Sequence, residues 1–355
     1  VIPRPFEYHA PATLAEACAL LEGCGAEAKV LAGGTDLLVS LKQEVFRPRH
    51  VVDVRALPEL RGVTPLPDGG LRLGAALTLE EVISSPQVQA GFPLLVAAAA
   101  AVAAPTHQAM GTLGGNILLD TRCWFYNQSR AQRAALGGEC YKLEGDACFV
   151  AKGVEDCYAA YAGDTAAALL VLEASVRVAD RNGGRTLPLA DLYTGDGKAP
   201  FVLRACEILE TVLLPPPLRE FHGAYRKFRL RQALDYPLAG LAIGIHFRPG
   251  STACAEARLA FTAADTAPRR VPDAETALAG GEVDEAAADR AAAAVMKAAR
   301  PVRNMVSTPH YRKTMLGHLC RQGLAAIRAA RDHELAAPSS PSPSRGGVRE
   351  GRGTR

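Results

Sequence analysis

Cys123, Cys140, Cys148 and Cys157 lie in one irregular, polar, glycine-containing stretch, TRCWFYNQSRAQRAALGGECYKLEGDACFVAKGVEDCYAAYAGD, with the spacing C-x16-C-x7-C-x8-C. Four thiolates in such a stretch can close it around a single metal centre. Zinc and iron–sulfur clusters are the usual occupants of all-cysteine sites. The spacing has neither the paired CxxC knuckles of zinc ribbons nor the tight run of bacterial ferredoxins, so spacing alone leaves the metal open. Cys18, Cys24, Cys206, Cys254 and Cys320 are scattered along the chain and read as structural or incidental.

Two glycine loops precede this segment. The first is Val30-Leu31-Ala32-Gly33-Gly34-Thr35-Asp36, at the end of a short apolar run that reads as a buried strand. Paired glycines let a backbone approach a ligand closely and adopt positive φ. Their successive N–H groups can form an anion-binding concavity suited to a pyrophosphate, to which Thr35 adds a hydroxyl. The pattern is not GxGxxG, so a Rossmann site is not supported. Taken alone it equally describes a plain strand-to-helix turn. The second loop, Met110-Gly111-Thr112-Leu113-Gly114-Gly115-Asn116-Ile117, has the same character, with Thr112 and Asn116 as polar tips. The two loops about 80 residues apart, with Asp164 beyond the cysteine segment, are more specific together than either alone.

Composition excludes several classes. A net charge of +3 with dispersed Lys and Arg does not suggest nucleic acid. The longest apolar run, PLLVAAAAAVAAP, is too short to span a bilayer, and no secretory leader pattern opens the chain, so a cytoplasmic protein with reduced or metal-bound thiols is expected. The eight histidines show no HxxxH or HExxH spacing. Helix and strand signals alternate up to LPPPLRE at 214–220, after which three strand-like runs precede two Ala-rich helices. Thr78 and Glu81 are placed as a capping box. The Pro/Ser/Gly/Arg-rich end reads as a disordered tail.

The AGGTD and GTLGGN loops together resemble the FAD-binding subunit of the molybdenum hydroxylases, the xanthine dehydrogenase and carbon monoxide dehydrogenase family. AYRKFRLRQALDYPLAGLAIGI resembles that family's flavoprotein C-terminal domain. The stretches TRCWFYNQS, C-x7-C and DCYAAYAGD are similar to the insert of one branch, the β subunit of 4-hydroxybenzoyl-CoA reductase, which holds an extra [4Fe-4S] cluster.

The resemblance implies an α+β fold. A two-part α/β FAD-binding domain at 1–217 would carry an iron–sulfur insert at about 119–160, followed by a smaller α+β domain at 218–330; the tail read as disordered, 331–355, lies outside the resemblance. Val30 through Asp36 would wrap the FAD diphosphate through the N–H groups of Gly33, Gly34 and Thr35. Thr112, Gly115 and Asn116 would line the other side of the flavin, and Val102 would pack near it. Asp164 would bond the ribityl or diphosphate region, and Lys227 would approach the ring from the C-terminal domain. Cys123, Cys140, Cys148 and Cys157 would ligate the cluster, with Trp124 and Tyr126 beside it. No catalytic residue is implied in this chain. The implied partners are a large molybdopterin-binding subunit and a small [2Fe-2S] subunit, in a dimer of heterotrimers, with a ferredoxin-type donor. The implied reaction is reductive removal of the phenolic hydroxyl of 4-hydroxybenzoyl-CoA. Two alternatives stand beside it: a related hydroxylase acting oxidatively on another aromatic or heteroaromatic substrate, and a non-redox scaffold with a structural zinc.

Overall fold

The computed structural model describes residues 2–231 and 233–336. Its N-terminal part opens on a three-stranded parallel sheet of β1 (Glu7–His9), β2 (Ala28–Leu31) and β3 (His50–Asp53), in the order β1-β3-β2. The helix Leu14–Cys24 crosses from β1 to β2. Thr13 caps its start by accepting from Glu16 N, and Gly25 ends it at φ 53°. Its buried side chains, Leu14, Ala17, Cys18 and Leu21, recur at helical spacing and meet Val52, Val54, Leu57 and Leu60 in a small core.

A second sheet contains β4 (Val63–Pro65), β5 (Leu71–Gly74), β6 (Ser175–Ala179), β7 (Arg185–Pro188) and β8 (Ile208–Leu214), antiparallel in the order β4-β5-β8-β6-β7. The helices Pro93–Ala100 and Asp164–Val171 pack into its core, and all eight residues of the latter are buried. The capping box of Thr78 and Glu81 forms at the start of the helix Leu79–Ser84.

The C-terminal part is an antiparallel sheet of β9 (Phe221–Phe228), β10 (Ala239–Phe247), β11 (Cys254–Thr262) and β12 (Arg269–Arg270), in the order β12-β11-β10-β9. The helices Glu285–Ala298 and Pro309–Ala336 supply one of its cores, while Ala242 and Ala260 join the core of the preceding part. Both faces are therefore covered. This is why the central strand β10 reads AGLAIGIHF, nearly all apolar and buried, without the alternation of a half-exposed strand. Among the described residues no helix is long and apolar enough to cross a membrane.

Two expectations need correction. The strand before the first glycine loop is not buried: in β2 only Ala28 is, and Val30 is 38% exposed. The tail does not begin at 331, because the last helix runs to Ala336. Arg331, 1% exposed, holds that last turn down. It donates to the carbonyls of Ser251 and Arg248 and pairs with Glu220 at 2.5 Å and Glu334 at 2.7 Å. The rest of the expected tail, 337–355, lies outside the described residues.

Candidate functional site

The two glycine loops touch through their backbones. A Cβ on Gly33 would sit 1.9 Å from the carbonyl oxygen of Met110 and 2.8 Å from Cα of Gly111, so only glycine permits the contact. Gly34 takes φ +73°, the left-handed region that glycine enters without a steric penalty. The second loop is pinned from behind. Leu79 N–H donates to Gly111 O, Leu113 N–H to Leu77 O and Gly114 N–H to Ala75 O, each at 2.8 Å. Among the described residues the N–H groups of Gly33, Gly34 and Thr35 donate to no protein acceptor. Around them Val30, Leu38, Val39 and Met110 leave apolar surface bare. Free backbone donors beside uncovered apolar side chains suit a ligand that carries a diphosphate and a flat ring.

The acidic ends of the expected site are already paired. Asp36 accepts from Arg122 at 2.6 Å and from Tyr236 at 3.0 Å, and the Arg122 guanidinium stacks 4.1 Å from the centre of the Tyr236 ring. Burial raises the Tyr236 pKa to about 12, so its phenol stays a donor. Asp164 and Lys227 meet directly at 3.0 Å, each about 5% exposed or less. Tyr225 Oη donates to the second Asp164 oxygen at 2.7 Å, and Lys227 Nζ also donates to Ala101 O at 2.9 Å. Burial pushes the Asp164 carboxyl up and the Lys227 ammonium down, and each is opposed by the other's charge. The pair bolts β9 of the C-terminal sheet to the helix Asp164–Val171 and to the Ala101–Ala103 turn. Within that turn Val102 packs on the main core, and its carbonyl accepts from Gln108 at 2.8 Å.

Thr112 and Asn116 also serve the protein. Thr112 Oγ1 accepts from Gly115 N–H at 3.1 Å and caps the helix Leu113–Ile117. Asn116 Oδ1 accepts from the N–H and hydroxyl of Thr165 at 3.0 and 2.7 Å. Leu31 and Ala32 are half-buried between the bare strand end and the loop.

Cys123, Cys140, Cys148 and Cys157 line a single small cavity. Phe125, Tyr126, Phe149 and Val150 complete its apolar wall, with Phe125 and Phe149 stacked at 4.2 Å; Trp124 is not part of that wall. Cys123 Sγ accepts from Tyr126 N–H at 3.2 Å and Cys148 Sγ from Ala151 N–H at 3.4 Å. Burial pushes the Cys123 thiol up to about 12 and raises Cys157 as well, so a metal must displace the protons to hold these groups as thiolates. Among the described residues only Glu7, His9 and His50 place three ligand atoms all within 4.8 Å of one another.

The cysteine segment is bound to the first glycine loop. Arg122, next to Cys123, pairs with Asp36, while its backbone bridges Ala160 and closes the base of the insert. Arg130 N–H donates to Gln43 O at 3.1 Å and Arg133 to Glu44 O at 3.0 Å. Lys142, 4% exposed, pairs with Asp120 at 2.7 Å and donates to Gly197 O at 2.8 Å. Nothing local in the sequence marks Arg122, Tyr225 or Tyr236 as part of the site. Each lies in a stretch identified for other residues, and no local spacing couples Asp36 to positions 86 and 200 residues away.

Three sheets that carry two abutting glycine loops with free backbone donors and a thiol-lined insert define a cofactor-carrying protein. Residues 4–217 match the family described as the FAD binding domain in molybdopterin dehydrogenase, and residues 223–327 match the CO dehydrogenase flavoprotein C-terminal domain. The chain is 34% identical over 269 residues to a putative xanthine dehydrogenase FAD-binding subunit of Escherichia coli K12, covering 76% of this chain and 77% of that one. It is 29% identical over 331 residues to the carbon monoxide dehydrogenase medium chain of Hydrogenophaga pseudoflava, covering 93% and 99%. A solved structure of carbon monoxide dehydrogenase from the same organism superposes with a TM-score of 0.76 at 29% identity, with the same coverage. The chain belongs to the FAD-binding medium subunits of the molybdenum hydroxylase family.

Proposed function

We propose that this chain is the flavin-bearing electron-transfer subunit of a three-subunit molybdenum hydroxylase that acts oxidatively on an aromatic or heteroaromatic substrate. The observation that carries the electron-transfer role is the Arg122–Asp36 pair, which sets the wall of the cysteine cavity against the first glycine loop. The names of the relatives support the oxidative direction. They include xanthine dehydrogenase, nicotine 6-hydroxylase of Paenarthrobacter nicotinovorans and nicotinate dehydrogenase of Eubacterium barkeri.

In this reading the free N–H groups of Gly33, Gly34 and Thr35 would hold the FAD diphosphate. Val30, Leu31 and Ala32 would flank it, and Val102, Thr112, Gly115 and Asn116 would shape the opposite wall. Asp36, through Arg122 and Tyr236, would fix the first loop to the insert. Asp164 and Lys227 would hold the Ala101–Ala103 turn in place rather than titrate. The four cysteines would hold a [4Fe-4S] cluster. Their shared cavity supports that ligand set, since a cluster takes one thiolate on each of its irons. FAD exchanges electrons one or two at a time, and a cluster one at a time. No molybdenum or [2Fe-2S] site is assigned to this chain, so the partners would be a large molybdopterin-binding subunit and a small [2Fe-2S] subunit.

The four-cysteine insert favours one narrower reading, in which the complex removes the phenolic hydroxyl of 4-hydroxybenzoyl-CoA with reduced ferredoxin as donor. The test is to assemble the chain with its partner subunits and assay both directions. N-heterocycles and aldehydes would be oxidised with a dye acceptor, and 4-hydroxybenzoyl-CoA would be reduced with a low-potential donor. Turnover of a heterocycle supports the proposal. Turnover of the thioester alone would replace it with the reductase, and turnover of neither by a fully loaded complex would refute both.

A further inference from the structure

We propose that Glu7, His9 and His50 form a binding site for a divalent first-row transition ion of the zinc type, separate from the glycine loops and from the cysteine cavity. The strand geometry builds it. β1 and β3 are parallel neighbours, with Glu7 in register with His50. Glu7 and His9 are two apart on β1, so their side chains share one face of the sheet. Tyr8, between them, points to the other face, where it donates to Asp53 at 2.7 Å.

Three ligand atoms converge on that face. His9 Nε2 lies 3.2 Å from His50 Nδ1, His50 Nδ1 lies 3.3 Å from Glu7 Oε2, and His9 Nε2 lies 4.0 Å from Glu7 Oε2. A point equidistant from the three atoms lies about 2.1 Å from each. That is the length of a zinc–imidazole or zinc–carboxylate bond, about 2.0–2.2 Å. A hydrogen bond between the two rings accounts for one edge of the triangle only, because a single N–H on His50 Nδ1 cannot serve both His9 and Glu7. A cation in the centre engages all three lone pairs together.

The donor set selects the ion. Two imidazoles and one carboxylate suit zinc and its neighbours, not the soft, thiolate-held metals of the cysteine cavity. The rings are about a quarter exposed and Glu7 is 73% exposed, so the ion can enter from solvent and complete its shell with water. β1 is a three-residue edge strand, paired among the described residues with β3 alone. A bound ion would cross-link it to the sheet whose other edge, β2, leads into the first glycine loop.

The full chain, loaded with flavin and iron, would be titrated with zinc chloride, then with cobalt chloride followed by absorption. Wild type should bind one zinc beyond any held by the cysteines. The cobalt form should lack thiolate charge-transfer bands at this site. His9→Ala and His50→Ala should each lose that one equivalent, with iron and FAD contents unchanged. His50 is partly buried, so Glu7→Gln, on an exposed residue, is the second variant. It should weaken zinc binding by about tenfold or more, since loss of even an outer-shell partner costs that much in built sites. Unchanged zinc stoichiometry and affinity in Glu7→Gln and His9→Ala would overturn the proposal. So would cobalt bound through sulfur alone.

Discussion

Replacing Gly33 with alanine should part the two glycine loops and cost the chain its flavin. The new Cβ would lie 1.9 Å from Met110 O and 2.7 Å from Met110 C, both backbone atoms that cannot swing aside. Restoring an ordinary contact requires the loops to separate by about 1 Å or more, a strain of the overpacking kind worth about 1–3 kcal/mol. If the loops must come together to hold the diphosphate, that strain appears in binding as roughly a tenfold to hundredfold weaker Kd. Gly34→Ala meets only the ends of Leu38 and Leu31, at 3.1 and 3.3 Å, but must keep φ +73°. It should lose less, about 1–2 kcal/mol. Gly23→Ala meets nothing within 4 Å and serves as the control. The assay is flavin retained per chain after gel filtration, with Kd from quenching of flavin fluorescence and circular dichroism to verify folding. A folded Gly33→Ala chain that keeps full FAD at the wild-type Kd would refute the placement of the flavin between these loops.

Four further outcomes follow from particular contacts. Asp164→Ala leaves Lys227 buried without its anion and should destabilise the chain by about 3–5 kcal/mol in urea unfolding. Tyr225→Phe removes one hydrogen bond to that carboxylate and should cost about 1.5–3 kcal/mol. Burial disfavours the Glu207 carboxylate, but bonds from Arg185 and Arg204 outweigh it and lower its pKa from 4.5 to about 2. The stability this group supplies is complete above about pH 4.5 and is lost as pH falls towards 2. Glu207→Gln should abolish that part of the acid dependence in unfolding titrations and lower neutral stability by about 2–3 kcal/mol. Cys140→Ser or Cys148→Ser should lose iron by metal analysis and keep FAD, whereas Cys206→Ser, outside the cavity, should keep both. Full iron in Cys148→Ser would remove that residue from the ligand set.

Much of this fold was legible because its signals are local. The helix Leu14–Cys24 carries its apolar stripe and its Gly25 stop in one short stretch, and the Thr78–Glu81 box is a four-residue pattern. The glycine loops were legible as places of close backbone approach. That Gly33 approaches the other loop itself required the fold. What escaped were partners chosen by topology. Arg122 and Tyr236 reach Asp36 across 86 and 200 residues. The eight histidines showed no ligand spacing along the chain, yet parallel pairing of β1 with β3 brings His9 and His50 together from 41 residues apart. β2 reads as a buried strand because Ala28, Val30 and Leu31 are apolar. Apolar residues left bare beside free backbone donors are what a ligand covers, and hydropathy does not separate that case from burial in a core.

Counting cofactors decides whether the cysteine insert of this flavin subunit carries an electron-transfer cluster. The chain would be purified anaerobically, its FAD released and quantified, and its iron, sulfide and zinc measured on the same sample. One FAD and about four irons with matching sulfide per chain are expected, with a broad visible absorbance that reduction bleaches. One zinc with no iron, from a chain that still holds FAD, would contradict the cluster. A folded chain with no FAD would contradict the site itself.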